Sequence, residues 1–275
     1  MHKLLCILLG ALAGSMLVFP GEAFAASLEA FSTVTERVMP SLFPMLTLML
    51  LITSRLPRNA FLCALLSLLT GSPAGARLCA HLPVDIAVKR RLAALTGTMS
   101  PMFLLSALPG LIHVPNGLPY LICHLAGSAL CALVLCPFGK DERAAAPLSV
   151  PQPYSLPQAV TEALKSMGVV LGCVTLANVA VSMLHCALPG IPDTLFALLH
   201  ALVEVTGGLK ALDAVPLPHK GLLAVMFTSF GGLSILMQNA AFWQKGGVGI
   251  LRLFIYRLVH AIISACLYIT LFHST

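Results

Sequence analysis

Apolar stretches of about bilayer length follow one another along most of this chain, and that succession fixes the solvent it can fold in. Each lies near the ~20 residues a helix needs to cross ~30 Å of hydrocarbon. Of 275 residues only 16 are Lys or Arg and 10 are Asp or Glu, while 58% are hydrophobic. Soluble domains carry about 25% charged residues. At 9%, a water-soluble globule would expose large apolar patches and aggregate. The wealth of Leu, Ile, Val and Phe also excludes disorder. The expectation is an all-α integral membrane protein whose first partner is the lipid bilayer.

The stretches cover residues 39–53, 60–82, 92–111, 118–136, 160–183, 195–212, 221–242 and 250–272. Four are interrupted, at Gly71-Ser72-Pro73-Ala74-Gly75, Ser100-Pro101, Gly207-Gly208 and Gly231-Gly232. Residues 137–159 form a polar linker between the halves. Residues 1–35 read as an N-terminal membrane helix closed by Pro20 and Gly21, then an external loop with Glu22 and Glu29. The small-residue run Ala23-Phe24-Ala25-Ala26 also suits a cleavable secretory signal. A retained helix is preferred, because everything downstream is membrane too.

The net charge of +6 is scattered between apolar segments without interleaved aromatics, which is no nucleic-acid footprint. It is a topological signal instead, since short cytoplasmic loops collect Lys and Arg. With a cytoplasmic N-terminus and two re-entrant pieces, 60–82 and 195–212, Arg55, Arg58, Lys89, Arg90, Arg91, Lys140, Arg143, Lys165 and Lys245 fall inside. Only Arg37, Lys210 and Lys220 fall outside. That arrangement predicts seven spans and an external C-terminus. The nine cysteines show no CxxC pair and no ligand spacing with His, so packing thiols are expected and neither a metal nor a cofactor. No HExxH, GxSG or compact Ser/His/Asp pattern points to an enzyme.

Both halves follow one plan: a span, a glycine-broken hairpin, a span broken near its middle and a plain span. The copies cover residues 36–136 and 160–275. Thr70-Gly71 and Thr206-Gly207 are each followed by a base, Arg77 or Lys210. Three spans per copy is an odd number, so the copies must face opposite ways. Inverted repeats with paired broken helices hold a solute at the midplane, where the breaks meet. Backbone groups freed by a break cannot face lipid, so they must line a cavity, a ligand or protein. Positive half-helix ends then favour an anionic or carbonyl-bearing solute.

Glu204 stands mid-stretch, where a carboxylate costs about 2.5–3.5 kcal/mol on insertion scales. It is either functional or paired with a base such as Arg77 or Arg257. The other candidate binding residues are Gly71, Ser72, Pro73, Gly75, Arg77, Thr98 and Ser100 in the first copy. In the second they are Thr206, Gly207, Ser229, Gly231, Gly232, Ser234 and Gln238. His124, His200 and His260 are expected to be hydrogen-bonded packing residues.

Five stretches carry a family resemblance. Pro40-Ser41-Leu42-Phe43-Pro44, Gly71-Ser72-Pro73-Ala74-Gly75-Ala76-Arg77-Leu78, Ser100-Pro101-Met102-Phe103, Val203-Glu204-Val205-Thr206-Gly207 and Ser229-Phe230-Gly231-Gly232-Leu233-Ser234 occur in that order. Together they resemble the sporulation integral membrane protein YlbJ family of the nucleoside-recognition, or Gate, domain group. Ser72 replaces the family's usual Tyr, and Gly97-Thr98-Met99 replaces an Asn-rich turn. The resemblance implies a transporter-like Gate fold in a bacterial cell membrane that binds or moves a small polar solute during spore envelope formation. The alternative is a non-transporting scaffold that meets spore-envelope proteins or its own copies.

Overall fold

The computed structural model describes residues 2–56, 59–136 and 152–272, and among these every regular element is helical. Five helices are long and apolar enough to cross a bilayer: Pro20–Thr53, Leu118–Leu135, Leu156–Ala187, Lys220–Trp243 and Ile250–Phe272. The chain is a multi-pass membrane protein. Large apolar side chains such as Val134, Val169, Leu176, Leu251 and Ile262 point outward from the long helices, where lipid satisfies them.

Helix α1 (His2–Val18) turns at Phe19 into α2 (Pro20–Thr33), which passes through a π turn (Val34–Val38) into α3 (Met39–Thr53). The loop expected before residue 36 is therefore helix, continuous with the first long span. Pro20 takes the first turn, where its missing N–H costs nothing, and Ala and Leu propagate the helix beyond it. A short hairpin, α4 (Ala60–Thr70) and α5 (Ala74–Ala80), comes next. Then follow the broken pair α6 (Ile86–Thr96) and α7 (Leu108–Ile112), and the plain helix α8 (Leu118–Leu135). The second half repeats this order: α9 (Leu156–Ala187), hairpin α10 (Asp193–Val203) and α11 (Val205–Ala214), broken pair α12 (Lys220–Phe230) and α13 (Gly232–Trp243), and α14 (Ile250–Phe272). Most of the linker, with Lys140 and Arg143, lies outside the described residues, as does Arg58.

Caps fix several starts. The Asn59 side chain accepts the Leu62 N–H at 2.7 Å, and Ser155 with Gln158 closes a capping box on α9. The leading arm of each hairpin and of each broken helix, α4, α6, α10 and α12, has 11 residues. Eleven residues rise ~16 Å, about half the ~30 Å hydrocarbon thickness. Each of the four arms is therefore too short to cross a bilayer alone.

Helices at matching places in the order of the two halves pack on each other. Helix α8 runs antiparallel to α14, with Tyr120 against Tyr268 (ring centroids 5.7 Å apart) at one end and the Cys131 thiol on the Tyr256 carbonyl (3.3 Å) further along. The two long helices are antiparallel as well: the Tyr154 N–H donates to Ser54 Oγ at 3.0 Å, while Ala23 packs with Val179 and Met183.

Candidate functional site

Each hairpin tip is seated on the interruption of the broken helix that follows it. In the first half the tip is Gly71-Ser72-Pro73. Ser72 N–H donates to the Thr98 carbonyl at 2.8 Å, and a Cβ on Gly71 would stand 2.4 Å from Ser100 N. Gly71 has φ of +72°, so both its conformation and its neighbour demand glycine. The opposing break spans residues 97–100, slightly earlier than the expected Ser100-Pro101. Ser100 instead caps the next segment, its Oγ accepting Phe103 N–H at 3.1 Å, with Pro101 in the first turn.

In the second half the hairpin turns at Glu204, not at Gly207-Gly208. Glu204 is extended (φ −139°, ψ 116°) and caps α11. Its carboxylate accepts Thr206 N–H on Oε1 (3.0 Å), and Gly207 N–H (2.7 Å), the Thr206 hydroxyl (2.7 Å) and the Asn178 amide (3.2 Å) on Oε2. The glycines lie inside α11 because they face neighbours: a Cβ on Gly208 would be 2.1 Å from Ala201 Cα, and one on Gly207 2.3 Å from Asn178 Oδ1. The tip then meets the break at Gly231-Gly232, where a Cβ on Gly232 would lie 3.1 Å from the Val203 carbonyl.

Polar links cross between the halves. Asn239 on α13 donates to Ser72 Oγ at 3.0 Å. His124 Nε2 accepts Met99 N–H from the first break at 2.9 Å, and its Nδ1 lies 3.0 Å from Ser229 Oγ beside the second. An accepting Nε2 puts the proton on Nδ1, so this imidazole is neutral. His260 Nε2 donates to the His124 carbonyl at 2.8 Å, and Arg257 donates to His260 Nδ1 at 3.2 Å. The same guanidinium donates to the carbonyls of Gly97 (2.5 Å) and Ala94 at the end of α6. His200 Nε2 lies 2.8 Å from Asn178 Oδ1, completing a His200–Asn178–Glu204 chain.

At the centre is a cavity of about 50 Å³ whose polar wall is Ser72, Ser100, Glu204, Thr206 and Gln238; Val38, Leu42, Val170 and Val174 of the long helices form part of its apolar wall. It gathers side chains from both hairpins, from the first break and from α13 beyond the second. Of the other sequence candidates, Gly71 and Gly232 seat the tips, Pro73 and Thr98 supply backbone to the first tip, and Gly75 lets the hairpin arms close on Ser67. Gly207 packs on Asn178, Ser229 meets His124, Gly231 (φ +85°) turns the break, and Ser234 accepts from Gln238 at 3.4 Å. Arg77 does not join them. Its half-exposed side chain lines a separate cavity of about 360 Å³ and stands 3.6 Å from Glu162. Neither expected base pairs with Glu204: Arg77 lies outside and Arg257 caps α6.

Sequence reasoning missed Asn178 and Asn239 and gave His124 no link to the breaks. An amide within an apolar stretch is the signal that could have found the first two, because hydrocarbon leaves it unsatisfied. Among the described residues no group of three or more His, Cys, Asp or Glu is placed to hold a metal ion. No family model, curated protein or solved structure matches the chain.

Proposed function

We propose that this protein is a transporter-like membrane protein of inverted-repeat, Gate-type build that binds a small polar solute at mid-depth, where its two interruptions meet. One observation carries the reading: Ser72, Ser100, Glu204, Thr206 and Gln238 line one cavity although they come from four interrupted elements in two halves. Interruptions serving only to pack helices would bury their polar groups in each other. Here some are turned toward shared space.

The antiparallel course of α8 on α14, and of the first long helix on α9, supports opposite orientation of the copies; a parallel duplication would pair equivalent helices in parallel. Orientation follows the charge bias, with the N-terminus cytoplasmic and the C-terminus external. The role proposed, in spore envelope formation in a bacterial cell membrane, rests on the sequence resemblance to the YlbJ family.

The test is a binding and uptake panel on reconstituted protein with nucleosides, metal ions and envelope precursors. Saturable binding that Gly232→Leu abolishes, in protein that still inserts, is the expected result. Cavity variants that sustain sporulation while loop variants fail would favour the scaffold, with spore-envelope proteins or a second copy as partners.

A further inference from the structure

Resting on the midplane site just proposed, we infer that the occupant of the cavity is a small monovalent cation, either a metal ion or a protonated amine, with Glu204 as its counter-charge.

Of the residues that line the cavity, Glu204 alone is ionisable. It is 1% exposed, and among the described residues no Lys or Arg touches it. Its contacts are all donors: two backbone N–H groups, one hydroxyl and one amide. The backbone N–H groups cannot reverse, and neither can the Asn178 amide, since its nitrogen also donates to the Val174 carbonyl at 2.8 Å. Four donors converging on its two oxygens match an acceptor-only carboxylate. The positive end of α11 offsets part of the charge, but a buried anion without a full partner remains costly. His200 reaches it only through a neutral amide.

The same contacts change what the helix end can bind. The N–H groups of Thr206 and Gly207, which would otherwise attract an anion, are spent on Glu204. An anionic solute would meet a fixed negative charge there. Three of the four bonds fall on Oε2, leaving Oε1 with a single donor, Thr206 N–H.

Gln238 points independently to a ligand. It is 7% exposed and lines the cavity. Its amide nitrogen has one long bond, to Ser234 Oγ, and its carbonyl oxygen has no partner among the described residues. Carboxylate, hydroxyl and amide oxygens around one space are hard donors, the kind that hard cations prefer. A single negative charge balances one positive charge and falls short of the carboxylate-rich shells that all-protein Ca²⁺ sites gather. Size agrees: about 50 Å³ is far below the roughly 300–1,000 Å³ of sites for drug-sized ligands.

The experiment is a thermal-stability titration of the full chain in detergent with NaCl, KCl and methylammonium chloride, balanced by choline chloride to constant ionic strength. Saturable stabilisation by at least one small cation over choline is expected, weakened about tenfold or more in Glu204→Gln, as loss of a buried charge partner requires. A response shared equally by choline, or undiminished in Glu204→Gln, overturns the inference. Should that variant not be monodisperse, Gln238→Leu decides: an unchanged cation affinity overturns it. Saturable binding of a neutral or anionic solute, abolished by Gly232→Leu and indifferent to small cations, would defeat the cation assignment while leaving the midplane site standing.

Discussion

His124 and Ser229 sit 105 residues apart in sequence, yet the imidazole Nδ1 lies 3.0 Å from the serine hydroxyl. Because Nε2 of the same ring accepts Met99 N–H from the other interruption, one buried side chain ties both breaks together. His124→Leu keeps bulk but strands a buried backbone N–H, which costs about 1–3 kcal/mol. A lower unfolding temperature in detergent is the expected outcome. A variant as stable as the parent would mean the breaks hold their geometry without this ring.

The Glu204 carboxylate and the Asn178 amide act as one unit with the start of α11, so their effects on stability should not add. Glu204→Ala removes a cap, worth about 0.5–2 kcal/mol, and leaves Asn178 with one partner fewer. Asn178→Ala then has less left to remove in that background. A double-mutant cycle by thermal unfolding measures this, and strictly additive losses would contradict the shared network.

Much of the architecture was legible because it follows from apolar run length and from glycine. Gly71 and Gly231 mark true ends of α4 and α12, each at positive φ. Gly207 and Gly208 carry the same letter for another reason, close approach to α10, and so pulled the expected turn three residues too far. Glu204 makes that turn, and a lone carboxylate in an apolar run does not reveal that its own backbone is extended. Residues 20–33 differ in the opposite way: Pro20 and Gly21 predict the end of a helix and a loop after it, but Pro20 sits in the first turn of α2, where its missing N–H costs nothing. What no local pattern carries is which distant polar groups meet. The Asn239–Ser72 and His124–Ser229 contacts arise only once the halves are packed.

Close approach and open space make a direct contrast between glycines of two helices. At Gly208 an added Cβ would lie 2.1 Å from Ala201 backbone, whereas at Gly172 on α9 nothing lies within 4 Å. Gly172→Ala should be neutral or stabilise by up to about 1 kcal/mol through helix propensity. Gly208→Ala must push the hairpin arms apart and destabilise, by about 1–3 kcal/mol or more for overpacking. Parallel melting curves of the two variants check the pair, and similar behaviour would refute the tight hairpin.

Arg257 is buried while Arg252, five residues earlier on α14, is exposed, and their responses to the same substitution should separate. The guanidinium of Arg257 spreads over the Gly97 and Ala94 carbonyls, which lack intrahelical partners because α6 stops at Thr96. Lysine keeps the charge but offers a point donor in place of a planar fork, so it cannot reproduce both bonds at those positions. Arg257→Lys should therefore lose about 1–3 kcal/mol, the cost of a lost bond to a charged donor. Arg252→Lys should stay within about 0.5 kcal/mol, as surface changes do. Unfolding temperatures measured side by side in one detergent decide between this capping role and a charge-only role, which would leave both variants near the parent.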